Sequence, residues 1–155
     1  MKIQWKKLIL CLAIPLGVGG LSALLTRGGM KEFATLNQPP LTPPPWVFGV
    51  AWTVLYLLMG IASYLVLTSG HPYRARTALT VYGVQLAFNF LWSIWFFNLS
   101  AFWFAFGWLI VLWGLILLTT VLFARLSFPA GVLMVPYLLW VTFAAYLNFG
   151  VAWHN

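Results

Sequence analysis

The sequence predicts an all-α integral membrane protein, a bundle of five transmembrane helices in one domain that covers residues 1–155. Hydrophobic residues make up 63% of the chain and charged residues only 6%, too few to cover the surface of a water-soluble fold. The mean hydropathy is +0.97. Uncharged runs alternate with short basic segments, and each run reaches the length of about 20 residues that a membrane helix needs.

The basic residues are distributed as topological signals. A formal net charge of +7 would indicate nucleic-acid binding in a water-soluble protein. Here the Lys and Arg residues lie between apolar runs and form no patch or amphipathic face, which is typical of charges at the ends of membrane helices. We therefore expect no nucleic-acid partner. The single cysteine, Cys11, excludes a disulfide within the chain.

The first apolar run is predicted as a helix over residues 8–26. Lys2, Lys6 and Lys7 precede it, and a basic segment before an apolar run also describes a secretory signal, with residues 21–23 as a conceivable cleavage site. The run is long enough to span a bilayer and longer than the apolar core of a signal peptide. We therefore expect a membrane helix that the mature protein retains.

The other four spans follow from the breaks between apolar runs. Residues 27–45 form the longest polar connection, which holds the only acidic residue, Glu32, and ends in Pro43–Pro45. This proline cluster favours a stiff exit and a fixed start for a helix over 46–68. After a basic turn, residues 77–124 carry no charge and are too long for one crossing, so a break at 98–100 predicts helices over 77–97 and 101–124. The fifth helix is predicted over 129–153, with a kink at Pro136.

The distribution of positive charge predicts the orientation. With five spans, one side of the membrane receives most of the basic residues: Lys2, Lys6, Lys7, Arg74, Arg76 and Arg125. The other side receives only Arg27 and Lys31. The positive-inside rule therefore places the N-terminus in the cytoplasm and the proline-rich loop outside, in a cell membrane of the bacterial type.

Polar side chains recur at helical spacing in three of the five spans. In lipid, such side chains face protein, water or a ligand. The stripes are, in the second span, Trp52, Tyr56 and Ser63; in the third, Gln85, Asn89, Trp92 and Ser93; in the fifth, Pro136, Trp140, Ala144 and Asn148. Together they predict a mostly apolar small-molecule pocket. The alternative is that the amides only join neighbouring helices and the tryptophans only mark the membrane interface.

The sequence offers no conventional catalytic or metal-binding constellation. Glu32 lies in a loop, and His71 and His154 are predicted on opposite sides of the membrane. Without Asp and with a single Cys, the chain has no triad, carboxylate pair or metal cluster. We therefore expect no catalytic residue of this kind, no bound metal and no cofactor.

Three segments resemble the signatures of one membrane protein family. Residues 43–56 (Pro-Pro-Pro-Trp-Val-Phe-Gly-Val-Ala-Trp-Thr-Val-Leu-Tyr), residues 85–92 and residues 135–148 are similar, in this order, to the second-, third- and fifth-helix motifs of the translocator protein family. The family comprises the tryptophan-rich sensory proteins (TspO) and, in animals, the peripheral-type benzodiazepine receptor. The resemblance covers essentially the whole chain.

The resemblance implies a five-helix bundle, often a homodimer, that binds porphyrins such as protoporphyrin IX and other flat hydrophobic molecules. It implies that Trp52 and Trp140 are the two pocket tryptophans, which the family associates with the ligand and with light-dependent porphyrin breakdown. Combined with the stripes, it gives the predicted ligand site: Phe48, Trp52, Tyr56, Gln85, Asn89, Trp92, Trp140, Ala144 and Asn148.

The chain departs from the family pattern in two places. Glu32-Phe33 replaces an aromatic pair of the first loop, and Pro40 replaces a tryptophan, so we expect a differently shaped lid. Phe149 replaces the tyrosine of the animal sterol motif and no basic residue follows it, so we expect no sterol recognition. The glycines at positions 17, 20, 83, 107 and 114 are predicted points of close helix contact, including contact in a dimer.

The sequence thus predicts a membrane receptor or carrier that binds porphyrins between the second, third and fifth spans, with a sensory or regulatory role in tetrapyrrole metabolism. One alternative is an enzyme that degrades porphyrin under light with its pocket tryptophans. Another is a structural scaffold that binds no ligand.

Overall fold

The computed structural model describes residues 2–155, which form helices and no β-strand. The helices are α1 (Trp5–Leu25), α2 (Arg27–Phe33), α3 (Pro45–Leu67), α4 (Pro72–Ser93), α5 (Phe102–Leu126) and α6 (Phe128–His154), and α4 continues into a π-helical turn (Ile94–Asn98). All except α2 are long and apolar enough to cross a membrane. The predicted fold class, an all-α membrane protein with five spans, is confirmed.

Proline marks the first turn of three of the spans. Pro45 opens α3, Pro72 opens α4 and Pro129 is the second residue of α6. Proline suits this position because its φ angle is already helical and the N–H that it lacks would have no partner there. The proline cluster of the first loop therefore ends where the helix that carries Trp52 begins.

The third span begins earlier than the predicted residue 77. The segment that carries Arg74 and Arg76 is the first turn of α4, which starts at Pro72. Both arginines are exposed. Long basic side chains at a helix end can reach the polar boundary of the membrane, so their charge does not exclude them from the helix.

The first loop contains an element that the sequence reading did not predict. α2 is a seven-residue helix that packs on the π-helical turn at the end of α4. The Phe33 ring lies with its centroid 5.5 Å from that of Phe96 and 5.6 Å from that of Phe97. A Cβ atom added to Gly29 would collide with the Phe97 carbonyl group, so the two backbones touch. We call α2 together with residues 34–44 the lid.

Hydrogen bonds hold the lid at one end of the bundle. The Tyr146 hydroxyl of α6 donates to the Pro40 carbonyl oxygen at 2.7 Å, and the Asn155 amide donates to the Asn37 carbonyl oxygen at 2.8 Å. The Asn98 amide donates to the Leu25 carbonyl oxygen at 3.0 Å and joins the end of α4 to the end of α1. The lid and the C-terminus of α6 therefore lie at the same end, as five crossings require.

The α1–α3 contact depends on Gly60. A Cβ atom at this position would approach the Cys11 carbonyl oxygen and the Leu12 Cα to 2.9 Å, so only glycine allows the two helices to lie so close. The glycines predicted as contact points (17, 20, 83, 107 and 114) have no such neighbour within 4 Å in this chain. They therefore make no close contact of this kind within the chain, and their contact in a dimer stays a prediction.

Candidate functional site

A cavity of about 540 Å³ lies beneath the lid, between α1, α3, α6 and the end of α4. Its walls are dominated by aromatic rings from α2, α3, α4, the π-helical turn and α6. They are Phe33, Phe48, Trp52, Tyr56, Trp92, Phe96, Phe97 and Trp140. The cavity is therefore an apolar space under a polar loop, at the end of the bundle where the lid is held.

The α3 wall follows from helical spacing. Phe48, Trp52 and Tyr56 recur every fourth residue and so share one face of the helix. Trp52 stacks on Tyr56 with 5.7 Å between ring centroids, and the Trp140 ring of α6 meets Trp52 edge to face at 6.3 Å. Phe48 meets Trp140 in the same way at 6.0 Å. These geometries favour aromatic attraction, so the rings form one continuous surface.

The α6 wall combines small, aromatic and amide side chains. Below Trp140, Ala144 leaves space and Asn148 completes the lining. The Trp92 indole N–H donates to the side-chain oxygen Oδ1 of Asn148 at 3.0 Å, and the Asn148 side-chain amide donates to the Phe102 backbone carbonyl oxygen at 2.9 Å. Asn148 therefore joins α4, α5 and α6 and holds the Trp92 ring in the cavity wall.

A second hydrogen-bond network lies beyond the cavity wall, toward the middle of the bundle. The Tyr56 hydroxyl donates to the side-chain oxygen Oδ1 of Asn89 at 3.4 Å, and the Asn89 side-chain amide donates to the Tyr137 hydroxyl at 2.8 Å. The Tyr137 hydroxyl donates in turn to the side-chain oxygen Oε1 of Gln85 at 2.7 Å. All four residues are buried. Tyr56 alone belongs to both the network and the cavity lining.

The structure divides the predicted site residues into two groups. Seven of them line the cavity: Phe48, Trp52, Tyr56, Trp92, Trp140, Ala144 and Asn148. Gln85 and Asn89 do not line it, because their side chains lie in the Tyr137 network. Direct contact between these two amides and a ligand stays a prediction.

Sequence reasoning missed the part of the lining that comes from α1, α2 and the π-helical turn. Phe96 and Phe97 are adjacent, so an α-helical pattern would not bring both to one cavity, and Phe33 lies in what reads as a loop. Gly19 of α1 also lines the cavity, and a Cβ atom there would collide with the Tyr56 ring. Gly19 is the one signal in the α1 sequence for this part of the lining. It could not be interpreted from the sequence, because the sequence does not show that the Tyr56 ring packs against it.

The polar groups of the site are few and mostly paired. The Gln38 amide donates to the Phe33 carbonyl oxygen at 3.0 Å and stabilises the lid. The Trp140 indole nitrogen is buried, and within residues 2–155 it has no hydrogen-bond partner. In the same part of the chain, His, Cys, Asp and Glu side chains form no group of three or more that could hold a metal ion. The arrangement is suited to binding a mostly apolar molecule.

Comparison with known proteins assigns the family. Residues 11–154 match the profile of the TspO/MBR family. The chain is 37% identical to the "Tryptophan-rich protein TspO" of Chlorobaculum tepidum over 97% of each chain. It is 42% identical to the "Tryptophan-rich sensory protein" of Cereibacter sphaeroides over 76% of this chain and 72% of that protein. It is also 36% identical to the "Translocator protein" of Ovis aries over 88% of this chain and 82% of that protein. With this match over nearly its whole length, the chain belongs to the TspO/MBR family.

Proposed function

We propose that the protein is a membrane receptor or carrier that binds porphyrins, or related flat hydrophobic molecules, in the cavity beneath the lid. Its role is sensory or regulatory and concerns tetrapyrrole metabolism. The observation that carries this proposal is the cavity itself, which is lined by seven residues predicted from the sequence, five of them aromatic.

The dimensions and chemistry of the cavity support such a ligand. A volume of about 540 Å³ falls in the range of small-molecule sites, which is roughly 300–1,000 Å³. Trp52, Trp92 and Trp140 offer indole rings to a flat conjugated molecule, and aromatic rings pair favourably when they stack or meet edge to face. The lid lies over the cavity and contributes Phe33, Ala34, Gln38 and Pro43 to its lining.

The relatives' names support the role. One of them is called a sensory protein and another a translocator protein, and in both cases the alignment with this chain spans most of the relative's length. A receptor and a carrier both need a site that holds a ligand reversibly, and a mostly apolar cavity with few polar groups meets that need.

The charges support the proposed orientation. Lys6, Lys7, Arg74 and Arg125 lie at the end of the bundle opposite the lid, where positive residues outnumber those beside it. By the positive-inside rule that end faces the cytoplasm, and the lid faces the outside of a bacterial-type cell membrane. We also propose a homodimer, which chemical crosslinking in the membrane tests.

Binding is tested by titrating the full chain in lipid vesicles with protoporphyrin IX and following the quenching of tryptophan fluorescence. Trp52→Ala removes the centre of the α3 wall and is expected to weaken binding by about tenfold or more, the equivalent of one lost aromatic pair. The matched control is Trp46→Ala on the same helix, because Trp46 is 69% exposed and outside the cavity lining. Equal affinities for the two variants would contradict the proposed site.

Light-dependent degradation of porphyrin is the second candidate, and the edge-to-face contact of Trp52 and Trp140 in the cavity wall favours it. The test is the loss of the porphyrin absorption band under illumination. Degradation by the protein should stop in Trp52→Phe while porphyrin binding persists. If free tryptophan and light remove the band as quickly, the enzymatic function is rejected.

A further inference from the structure

A second apolar space lies on the opposite side of Trp140 from the cavity. It is a groove of about 540 Å³ between α3 and α6, open to the outside of the bundle. Its lining is Ala51, Val54, Leu55, Pro136, Leu139, Trp140 and Phe143. Val54 is 48% exposed and Leu139 is 64% exposed, so the groove opens on a surface that faces lipid in a membrane.

Trp140 is the one residue, within residues 2–155, that belongs to the linings of both spaces. Its ring therefore forms part of the wall between the membrane-facing groove and the cavity, which has exposed lining of its own at Gly20, Ala23, Gly49 and Thr53. Its indole nitrogen is buried without a hydrogen-bond partner. By contrast, the indole of Trp92 is held by Asn148 and that of Trp113 by Thr142. The Trp140 ring is thus held by packing alone.

The contact between α3 and α6 around this ring, which we call the seam, is also held by packing alone. In the described part of the chain, side-chain hydrogen bonds connect α6 to α4, to α5 and to the lid, but none connects α6 to α3. The α3–α6 contact near the cavity consists of aromatic edges, such as Phe48 and Trp52 against Trp140. Pro136 lies one turn before Trp140 and cannot donate a backbone hydrogen bond, which weakens α6 at the groove.

The path through the lid is more firmly closed. Tyr146 and Asn155 donate to lid carbonyl oxygens, and the Gln38 amide adds a bond within the lid. Gly150 of α6 lies so close to Pro39 that a Cβ atom would collide with the proline ring. Opening the lid breaks the two hydrogen bonds that Tyr146 and Asn155 donate to it, whereas no side-chain hydrogen bond between α3 and α6 in the described residues has to break at the seam.

We propose that apolar ligands enter and leave the cavity laterally, from the lipid bilayer, through the seam between α3 and α6, and that Trp140 is its gate. This inference rests on the proposed function, because it concerns the route to the same cavity. A flat apolar ligand partitions into the bilayer before it meets the protein, so a portal on the lipid-facing surface meets it where it is concentrated.

The test fills the groove from the lipid side and leaves the cavity untouched. Val54→Phe and Leu139→Phe add bulk to groove residues that do not line the cavity. The matched control is Leu57→Phe, because Leu57 is on α3, 38% exposed and outside the groove. The full chain is reconstituted in phosphatidylcholine vesicles, protoporphyrin IX is supplied from donor vesicles, and binding is followed by stopped-flow quenching of tryptophan fluorescence.

The portal predicts that the association and dissociation rates of both groove variants fall together, by about tenfold, as expected when a plug raises the barrier by about 1.4 kcal/mol. The equilibrium affinity should not change, because the plug touches neither the bound nor the free state. The control variant should keep the rates of the unmodified protein.

Two results would overturn the portal. One is an association rate in the groove variants equal to that of Leu57→Phe. The other is faster association in Tyr146→Phe, which loosens the lid, together with no effect of the groove variants. Either result leaves the cavity as a binding site. Absence of porphyrin binding by the unmodified protein would instead reject the proposed function, and the portal with it.

Discussion

The Tyr137 hydroxyl donates a hydrogen bond of 2.7 Å to the side-chain oxygen Oε1 of Gln85, in a part of the bundle where neither side chain reaches the surface. The same hydroxyl accepts from the Asn89 amide at 2.8 Å. One oxygen atom of α6 therefore pairs with two amides of α4, although the Gln85 Nε2 group stays buried without a partner within residues 2–155. In lipid this pairing replaces the water that the amides would otherwise bind.

Tyr137→Phe should destabilise the bundle, because it leaves the Gln85 and Asn89 amides without this partner in an apolar interior. The expected loss is about 1–2 kcal/mol, the range of such hydrogen bonds between membrane helices. Thermal unfolding in detergent measures it. The control is Tyr73→Phe, because Tyr73 is 86% exposed, and an equal loss in both variants would show that the network does not stabilise the fold.

The position of the lid should depend on Gly29 and not on the neighbouring Gly28. Gly29→Ala places a methyl group against the Phe97 backbone and should push α2 away from the π-helical turn, whereas Gly28→Ala meets nothing within 4 Å. We therefore expect weaker ligand binding and faster proteolysis of residues 26–44 in Gly29→Ala alone. Identical behaviour of the two variants would show that α2 does not close the cavity.

The shape of the cavity beside α1 should likewise depend on the absence of a side chain at Gly19. Gly19→Ala collides with the Tyr56 ring, while Gly17→Ala has no neighbour within 4 Å and should be neutral or slightly stabilising, because alanine favours helix. Displacement of the Tyr56 ring would disturb its stack on Trp52 and its bond to Asn89. Porphyrin affinity measured by quenching should fall for Gly19→Ala only. Retention of full affinity would mean that the Tyr56 position does not matter for binding.

Ligand binding should raise the unfolding temperature. A ligand present at 100 times its Kd stabilises the folded state by about 2.7 kcal/mol. Ala144→Phe fills the cavity from α6 and should abolish the shift, whereas Ala13→Phe, on an exposed part of α1, should keep it. A screen of porphyrins, isoquinolines and sterols by this method identifies the ligand class. A shift that persists in Ala144→Phe would place the ligand elsewhere.

The number of spans follows from composition, because a chain with long uncharged runs has few ways to fold. The break near Asn98 is an example, since residues 77–124 are too long for one crossing, and the structure turns at Leu99 and Ser100. The start of α4 at Pro72 was missed because Arg74 and Arg76 indicate a turn by charge alone. Charge at the end of a membrane helix does not distinguish a loop from the helix's own first turn.

Site residues that share one face of a single helix could be predicted from the sequence. Contacts between residues of two different elements could not. Phe48, Trp52 and Tyr56 share a face of α3, so their spacing predicts a common wall. Gln85 and Asn89 follow the same rule on α4, but their partner Tyr137 is on another helix and its hydroxyl engages both amides. Periodicity identifies which residues point together; it does not identify what they meet.

The π-helical turn at Ile94–Asn98 makes this end of the molecule sensitive to chain length as well as to chemistry. A π-helical turn closes its hydrogen bonds over five residues instead of four. Deletion of a single residue there would return the turn to the α-helical repeat and change which of its side chains face the lid. Phe97 would then lose its contact with Phe33, and the lid its support. We therefore expect this segment to accept changes of side chain more readily than the loss of one residue.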